Sequence, residues 1–134
     1  MWISDLMTRH VISCSPQSGI EEAVKLMEKW DVGCLLISEN EKLVGIITDR
    51  DIAIRIIGKG INPKKCIVKD FMTKNVIIGI PLTDPLAAAK LMNKYQVRRL
   101  PVVDGEKLVG IISIADISSY AETILGEVAK SRKR

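Results

Sequence analysis

Two stretches of this chain place a hydroxyl and a carboxylate three residues apart, directly after a β-rich run. They are Gly45-Ile46-Ile47-Thr48-Asp49-Arg50-Asp51 and Gly110-Ile111-Ile112-Ser113-Ile114-Ala115-Asp116. Where a strand hands over to a helix, this spacing allows two chemistries. In one, Thr48 or Ser113 caps the helix while Asp51 or Asp116 bonds back to the cap and complements the helix dipole. In the other, the carboxylate accepts hydrogen bonds from a ribose diol while the hydroxyl and helix-end amides meet a phosphate. Spacing alone leaves both open. Arg98 and Arg99, just before another β-rich run, add guanidinium groups suited to phosphate, although an adjacent basic pair is ordinarily a solvated one.

Other chemistries find little support. Cys14, Cys34 and Cys66 are odd in number and widely spaced, and His10 is the sole histidine, so no CxxC or Cys/His cluster is set up to hold zinc. They read as reduced thiols, Cys14 as a small buried one, and His10 as a surface residue without a catalytic partner. Gly58-Lys59-Gly60-Ile61-Asn62-Pro63 lacks the third glycine of a dinucleotide fingerprint and follows a helix, which makes it a linker. With no nucleophile–base pair and no Gly-Lys-Ser/Thr loop, the chain reads as a non-enzyme.

The elements that must carry these residues occur twice. Asp5-Leu6-Met7-Thr8 returns as Asp70-Phe71-Met72-Thr73, and the same offset of 65 residues carries Glu41-Lys42-Leu43-Val44-Gly45-Ile46-Ile47 onto Glu106-Lys107-Leu108-Val109-Gly110-Ile111-Ile112 without a gap. Each unit reads β-α-β-β-α. An extended segment, 11–15 or 76–80, ends at Pro16 or Pro81. A helix follows, with Ile20, Val24, Met27 and Trp30 on its apolar face in the first unit and a start at Thr83-Asp84-Pro85 in the second. A hairpin then turns at Asn40 or Gly105, residues that tolerate positive φ. It runs into a closing helix, Arg50–Ile57 stopped by Gly58 in the first unit and Ala115 to about Lys130 in the second. The expected boundaries are 1–60 for the first repeat, 61–66 for a linker, 67–129 for the second repeat and 130–134 for a basic tail.

A β-α-β-β-α unit of about 60 residues is too small to shield its sheet comfortably. The 134 residues (14.8 kDa) are therefore expected to form one α/β (α+β) fold, its tandem repeats packed sheet to sheet with pseudo-twofold symmetry. Hydrophobic residues at 47% and charged residues at 27% are ordinary for a folded domain. Aromatics at 4% supply no stacking platform for single-stranded nucleic acid. The net charge of +4 equals the four cations of Lys130, Arg132, Lys133 and Arg134, a tail read as solvated and disordered on a neutral body. No apolar run approaches the roughly 18 residues of a membrane span and the first residues do not read as a signal peptide, so a cytoplasmic location is expected.

From Asp5-Leu6-Met7-Thr8 to the last helix, the order of motifs resembles a pair of CBS (cystathionine β-synthase) domains, one stand-alone Bateman module. Val97-Arg98-Arg99-Leu100-Pro101-Val102-Val103-Asp104 and the doubled Gly-x-x-Thr/Ser-x-x-Asp carry the likeness. The resemblance implies a disc-like, non-catalytic sensor that requires no cofactor. It would bind an adenosyl ligand such as AMP, ADP, ATP, S-adenosylmethionine or NAD in clefts between its repeats, and signal through a head-to-head or head-to-tail homodimer to a regulated protein. Carried over by position, Asp51 and Asp116 would hold ribose hydroxyls, and Thr48 and Ser113 ribose or phosphate. Arg98 and Arg99, beside Pro101, would meet phosphate, while Ile12, Ser13, Cys14, Ile77, Ile78 and Gly79 would line the adenine pocket. Positions 33 and 34, equivalent to Arg98 and Arg99, are Gly33 and Cys34, so the Ser113/Asp116 cleft is expected to be the tighter, with Arg50 partly compensating in the other. Competing readings are an interaction scaffold with vestigial clefts, or nucleic-acid binding helped by the tail; a membrane partner is not expected.

Overall fold

Each hairpin turns where the sequence places its left-handed residues. Asn40 and Glu41 take φ of 52° and 66°, and Gly105 takes 63°, the conformation that closes a tight connection between twisted strands. The computed structural model describes residues 1–132. It comprises α1 (Ile3–Leu6), β1 (Ser13–Cys14), α2 (Ile20–Trp30), β2 (Cys34–Glu39), β3 (Lys42–Thr48) and α3 (Asp49–Arg55), then α4 (Pro85–Tyr95), β4 (Arg99–Asp104), β5 (Lys107–Ser113) and α5 (Ile114–Arg132). Strands and helices mix as expected of an α+β chain, and no helix among the described residues is long and apolar enough to cross a membrane.

The compact units cut across the repeats. One gathers His10–Val76 with Gly105–Leu108; the other gathers Met1–Arg9, Ile77–Asp104 and the chain from Val109 onward. The Met-Thr segment that opens each repeat thus packs with the other repeat's hairpin.

In the unit built on 10–76, β1 runs parallel to β2 with Ser13 opposite Leu36, and β2 runs antiparallel to β3 with Leu35 opposite Ile47. Thr73 and Ile46 exchange backbone hydrogen bonds of 2.8 and 3.0 Å. Ile20, Ala23 and Met27 of α2 meet Leu35, Ile37 and Ile47, with Ile52, Ile56, Cys66 and Val68 completing the core. The expected apolar face is corrected here: Ala23 is buried, while Val24 and Trp30 are exposed. One residue step rotates a helical side chain by about 100°, and the small Ala23 is the one set against the core. Trp30 lies at the surface, edge-on to the exposed His10 ring 5.2 Å away. The closing helix α3 ends at Arg55 with Ile56 as its cap; a 3-10 turn over Ile57–Lys59 follows, and the left-handed residue that ends it is Gly60, not Gly58.

The other unit repeats this internal logic. Pro85, Ala88 and Met92 of α4 are buried at the positions equivalent to Ile20, Ala23 and Met27, and Ala88 and Met92 share a core with Ile3, Leu100, Val102 and Ile112. Asp84 caps α4 by accepting from Leu86 N at 2.7 Å, with Pro85 in the first turn, as its sequence signals. The expected strand over 76–80 reduces to one parallel bridge, Gly79 to Val102, and β4 lies beside β5. Helix α5 runs through Lys130 to Arg132, so that part of the expected tail is helical; Lys133 and Arg134 lie outside the described residues. Backbone bonds from Ile3 N to Thr83 O and Ser4 N to Pro81 O recur in the first unit as Val68 N to Ser18 O and Lys69 N to Pro16 O. All four pairs are related by the sequence offset.

The glycine that both repeats keep in Leu-Val-Gly-Ile-Ile has a packing reason. A Cβ on Gly110 would lie 2.9 Å from the Thr8 carbonyl oxygen and one on Gly45 3.1 Å from that of Thr73, backbone atoms that cannot swing aside. Gly110→Ala is expected to destabilise by about 1–3 kcal/mol through overpacking. Gly126→Ala, in an exposed helical position where a Cβ meets nothing, should stabilise by about 0.5–1 kcal/mol. Urea unfolding of the two variants, read for opposite shifts in midpoint, checks both.

Candidate functional site

At the end of β3 the chain is extended at Thr48 and helical from Asp49. Thr48 Oγ1 accepts from Asp51 N at 3.1 Å, and Asp51 Oδ2 accepts from Thr48 N at 2.9 Å. The second junction repeats the exchange: Asp116 N donates to Ser113 Oγ at 3.2 Å, and Ser113 N donates to Asp116 Oδ2 at 2.8 Å. Both are capping boxes, which satisfy helix-end donors that no intrahelical carbonyl reaches. Each helix is also fastened to its own hairpin, because Asp49 N donates to Gly33 O at 2.9 Å and Ile114 N to Arg98 O at 3.0 Å. The second tie sets the Arg98 backbone against the first residue of α5, one position past Ser113.

The two junctions then diverge. In the first, the Arg55 guanidinium approaches the remaining Asp51 oxygen, Oδ1, at 3.4 Å; it also donates to Phe71 O at 2.8 Å and Thr73 Oγ1 at 3.3 Å. In the second, Tyr120 stands at the position equivalent to Arg55, and Asp116 Oδ1 has no protein partner among the described residues. A second difference lies beside the first. A Cβ on Gly33 would fall 2.9 Å from Asp49 Oδ2, so an acid crowds the position that Arg98 fills in the other repeat, where Ile114 replaces Asp49. At the first junction Arg55 pairs with Asp51 and Asp49 stands beside Gly33; at the second Arg98 takes the place of Gly33 and Asp116 Oδ1 has no protein partner among the described residues. Arg55 and Asp49 are the junction residues that motif reading passed over, whereas Gly33 in place of Arg98 was read from the repeat. Their signal was present as paired departures from the repeat, Gly33 for Arg98 with Asp49 for Ile114.

The remaining candidates fall in several places. Arg50, Arg98 and Arg99 are exposed, and the side chains of all three are without ion pairs among the described residues. Arg98 borders a cavity of about 340 Å³ with Met92, Val97, Ile114, Ile117 and Ser118, but Arg99, Ser113 and Asp116 are not in its wall. Pro101 is buried, and its carbonyl accepts from Gly79 N at 2.9 Å, while Gly79 O accepts from Val103 N at 2.9 Å. Both polar groups of Gly79 are thus committed to β4. Ile77 and Ile78 main-chain groups remain unbonded among the described residues, with Ile77 half-buried and Ile78 exposed. In the first repeat Ile12 and Cys14 are half-buried and Ser13 is exposed. Ile12 O accepts from Leu36 N at 3.3 Å. Burial holds the Cys14 thiol above the ordinary cysteine range, with Glu22 adding to the rise and the Ser18 hydrogen bond opposing it.

Comparison with known proteins follows the duplication. The CBS domain family model matches residues 3–58 and again 68–123. The chain is 37% identical over 116 residues to the CBS domain-containing protein YhcV of Bacillus subtilis, covering 87% of this chain and 82% of that one. It is 40% identical over 115 residues to the inosine-5'-monophosphate dehydrogenase of Methanocaldococcus jannaschii, covering 84% of this chain but 22% of that enzyme. Among solved structures, the CBS domain pair of protein MJ0100, in complex with 5'-methylthioadenosine and S-adenosyl-L-methionine, superposes with a TM-score of 0.81 at 31% identity, covering 92% of this chain and 97% of that one.

Ser113→Ala should cost about 1 kcal/mol by removing the cap of α5, and Thr48→Ala a similar amount at α3, both read by denaturant unfolding. Because a raised pKa keeps Cys14 protonated at neutral pH, its alkylation in the native protein should be slower than in the urea-unfolded chain. The gap should narrow as pH rises above the ordinary thiol range, followed peptide by peptide with mass spectrometry.

Proposed function

The chain belongs to the CBS domain family, a family of regulatory rather than catalytic modules, and on that premise we propose that it senses an adenosyl ligand (AMP, ADP, ATP, S-adenosylmethionine or NAD) and reports occupancy through the conformation of a homodimer. The observation that carries this reading is the second strand-to-helix junction. One Asp116 oxygen holds the start of α5, and the other has no protein partner among the described residues. An ionised carboxylate with an unused oxygen accepts from a hydroxyl without breaking the cap, which suits a ribose diol.

The neighbouring groups extend the fit. The dipole of a long helix favours negative charge at its start, and the Ile114–Arg98 backbone bond keeps Arg98 next to it. Arg98 and Arg99 supply cations for a phosphate, and the unbonded main-chain groups of Ile77 and Ile78 supply donors and acceptors for adenine. At the first junction a ligand would have to displace Arg55 from Asp51 and bring phosphate towards Asp49, so we assign the tighter binding to Ser113 and Asp116. The ligands of the MJ0100 pair carry no phosphate, whereas the arginine pair here favours ligands that do. A ligand changes the assembly only by its difference in affinity for two arrangements.

Thermal-shift titration against AMP, ADP, ATP, S-adenosylmethionine, NAD and an RNA oligonucleotide tests the class. A ligand at about 100 times its Kd should add roughly 2.7 kcal/mol of stability, and no shift with any adenosyl compound at millimolar concentration would reject the sensor in favour of an interaction scaffold. By calorimetry, Asp116→Asn, which retains an acceptor for the cap, should weaken binding at least tenfold, and Asp51→Asn less than threefold. Replacing Arg98 and Arg99 with alanine should reduce affinity for ATP by tenfold or more while leaving S-adenosylmethionine within about threefold.

A further inference from the structure

The cavity beside Arg98 lies within one compact unit, because every residue of its wall comes from α4, the turn after it or the start of α5. Met92 is buried and Ala89, Val97 and Ile117 are half-buried, which makes the deeper part of the wall aliphatic. Asn93, Gln96, Arg98 and Ser118 are exposed and edge it with polar groups. Its volume of about 340 Å³ lies at the small end of ligand pockets.

The first repeat builds the same backbone with opposite chemistry. Gln96 and its equivalent Asp31 both take a left-handed φ, 53° and 51°. Val97 N donates to Met92 O at 3.0 Å and Val32 N to Met27 O at 2.9 Å, and the bond that ties Ile114 to Arg98 recurs between Asp49 and Gly33. On this common framework Asn93, Gln96 and Ile114 stand in place of three acids, Glu28, Asp31 and Asp49, while Arg98 replaces Gly33 and Ser118 replaces Ala53. Three carboxylates in one repeat thus become one guanidinium and no acid in the other. The charged residues within a turn of the wall on the two helices cancel, Lys90 and Lys94 on α4 against Asp116 and Glu122 on α5, which leaves Arg98 as the excess charge. Donors are also left over. The side chains of Asn93, Arg98 and Ser118 have no hydrogen-bond partner among the described residues. Gln96 Nε2 donates one proton to Asn93 O at 2.6 Å and keeps the other.

We infer that this cavity is a second binding site, separate from the Ser113/Asp116 junction, and that it takes a small aliphatic carboxylate. A guanidinium pairs bidentately with a carboxylate, amide and hydroxyl donors serve its remaining lone pairs, and the aliphatic chain lies against Met92, Val97 and Ile117. With one cation, the wall matches a single negative charge better than a phosphate dianion. With no aromatic ring in it, the wall offers a nucleobase nothing to stack on. Arg98 is the one side chain shared with the adenosyl reading, and the inference stands without that reading.

Amide chemical-shift titration of the isotope-labelled full chain with hexanoate tests it, beside acetate, hexanol and hexylammonium. Hexanoate is expected to shift residues 92–98 and 114–118 saturably. It should bind at least tenfold more tightly than acetate, which lacks the chain, and than hexanol, which lacks the charge, while hexylammonium leaves these residues unmoved. The variant Asn93→Glu, Gln96→Asp copies the first repeat and should bind hexanoate at least tenfold more weakly, with a cooperative melt and the wild-type response to adenosyl ligands retained. Gln96→Asp alone, at a position where Asp31 already holds the same φ, should weaken binding in the same direction and serves where the double variant does not fold. Unchanged hexanoate binding in the variants, shifts confined to residues outside the cavity, equal binding of hexanoate and hexylammonium, or no saturable shift at tens of millimolar each overturns the site. None of these outcomes bears on the adenosyl site, whose own failure would leave hexanoate binding untouched.

Discussion

The reciprocal bond between a hydroxyl and a carboxylate at the end of each hairpin decides what the remaining groups of this chain are able to do. Once Asp51 and Asp116 have each given one oxygen to the backbone of the residue that caps the helix, the helix start, the strand end and the carboxylate plane are fixed together. The second oxygen is then the variable. Latched by a guanidinium it is part of the scaffold; left open at the head of a long helix it is an acceptor held in place by bonds that a ligand need not disturb. The structural and ligand-binding interpretations of the same spacing are therefore compatible, because a carboxylate has two oxygens and a cap uses one.

Duplication makes the chain its own control. At positions related by the 65-residue offset the backbone makes the same bonds, down to the pairs that join each Met-Thr segment to the turn before α2 or α4. Differences between equivalent side chains are therefore not demanded by the shared framework. Arg55 against Tyr120, Gly33 with Asp49 against Arg98 with Ile114, and Ser15, Gln17 and Glu21 against Ile80, Leu82 and Leu86 form a consistent set. In the first repeat Arg55 pairs with the junction carboxylate and the outer turn is polar. In the second Asp116 Oδ1 has no protein partner among the described residues and the outer turn is apolar.

The same comparison relates chain connectivity to stability. Met7 and Thr8 open the first repeat but pack on Gly110 and Ile111 of the second hairpin; Met72 and Thr73 open the second but pack on Gly45 and Ile46 of the first. Each compact unit is completed by a segment from the other half of the sequence. A repeat of about 60 residues is near the lower limit for an independent core, and exchanging these segments ties the folding of one unit to the presence of both repeats.

How much of this was legible beforehand depends on the range of the forces involved. The duplication, the hairpin turns at Asn40 and Gly105, the cap of α4 at Asp84 and both capping boxes follow from contacts within a few residues, and spacing records such contacts directly. Helix faces were less legible: Ala23 took the core position expected of Val24, because which side of an amphipathic helix is buried depends on the sheet it meets. The stop at Ile56 and the helical course of Lys130 to Arg132 also escaped local signals. The residues matching the adenosyl-ligand pattern were identified from sequence, but not the state of each. That Gly79 has both polar groups committed to β4, that Phe71 O and Thr73 Oγ1 hold the Arg55 guanidinium, and that Asp49 crowds the space beside Gly33 are contacts across 16 or more residues. The sequence by itself determined the repeat, its elements, its capped junctions and the i,i+4 spacing of Asp51 and Arg55, since these are local; only the tertiary structure decided that Phe71 and Thr73 hold Arg55 and that Asp49 crowds Gly33, because those partners lie 16 or more residues apart and meet only on folding.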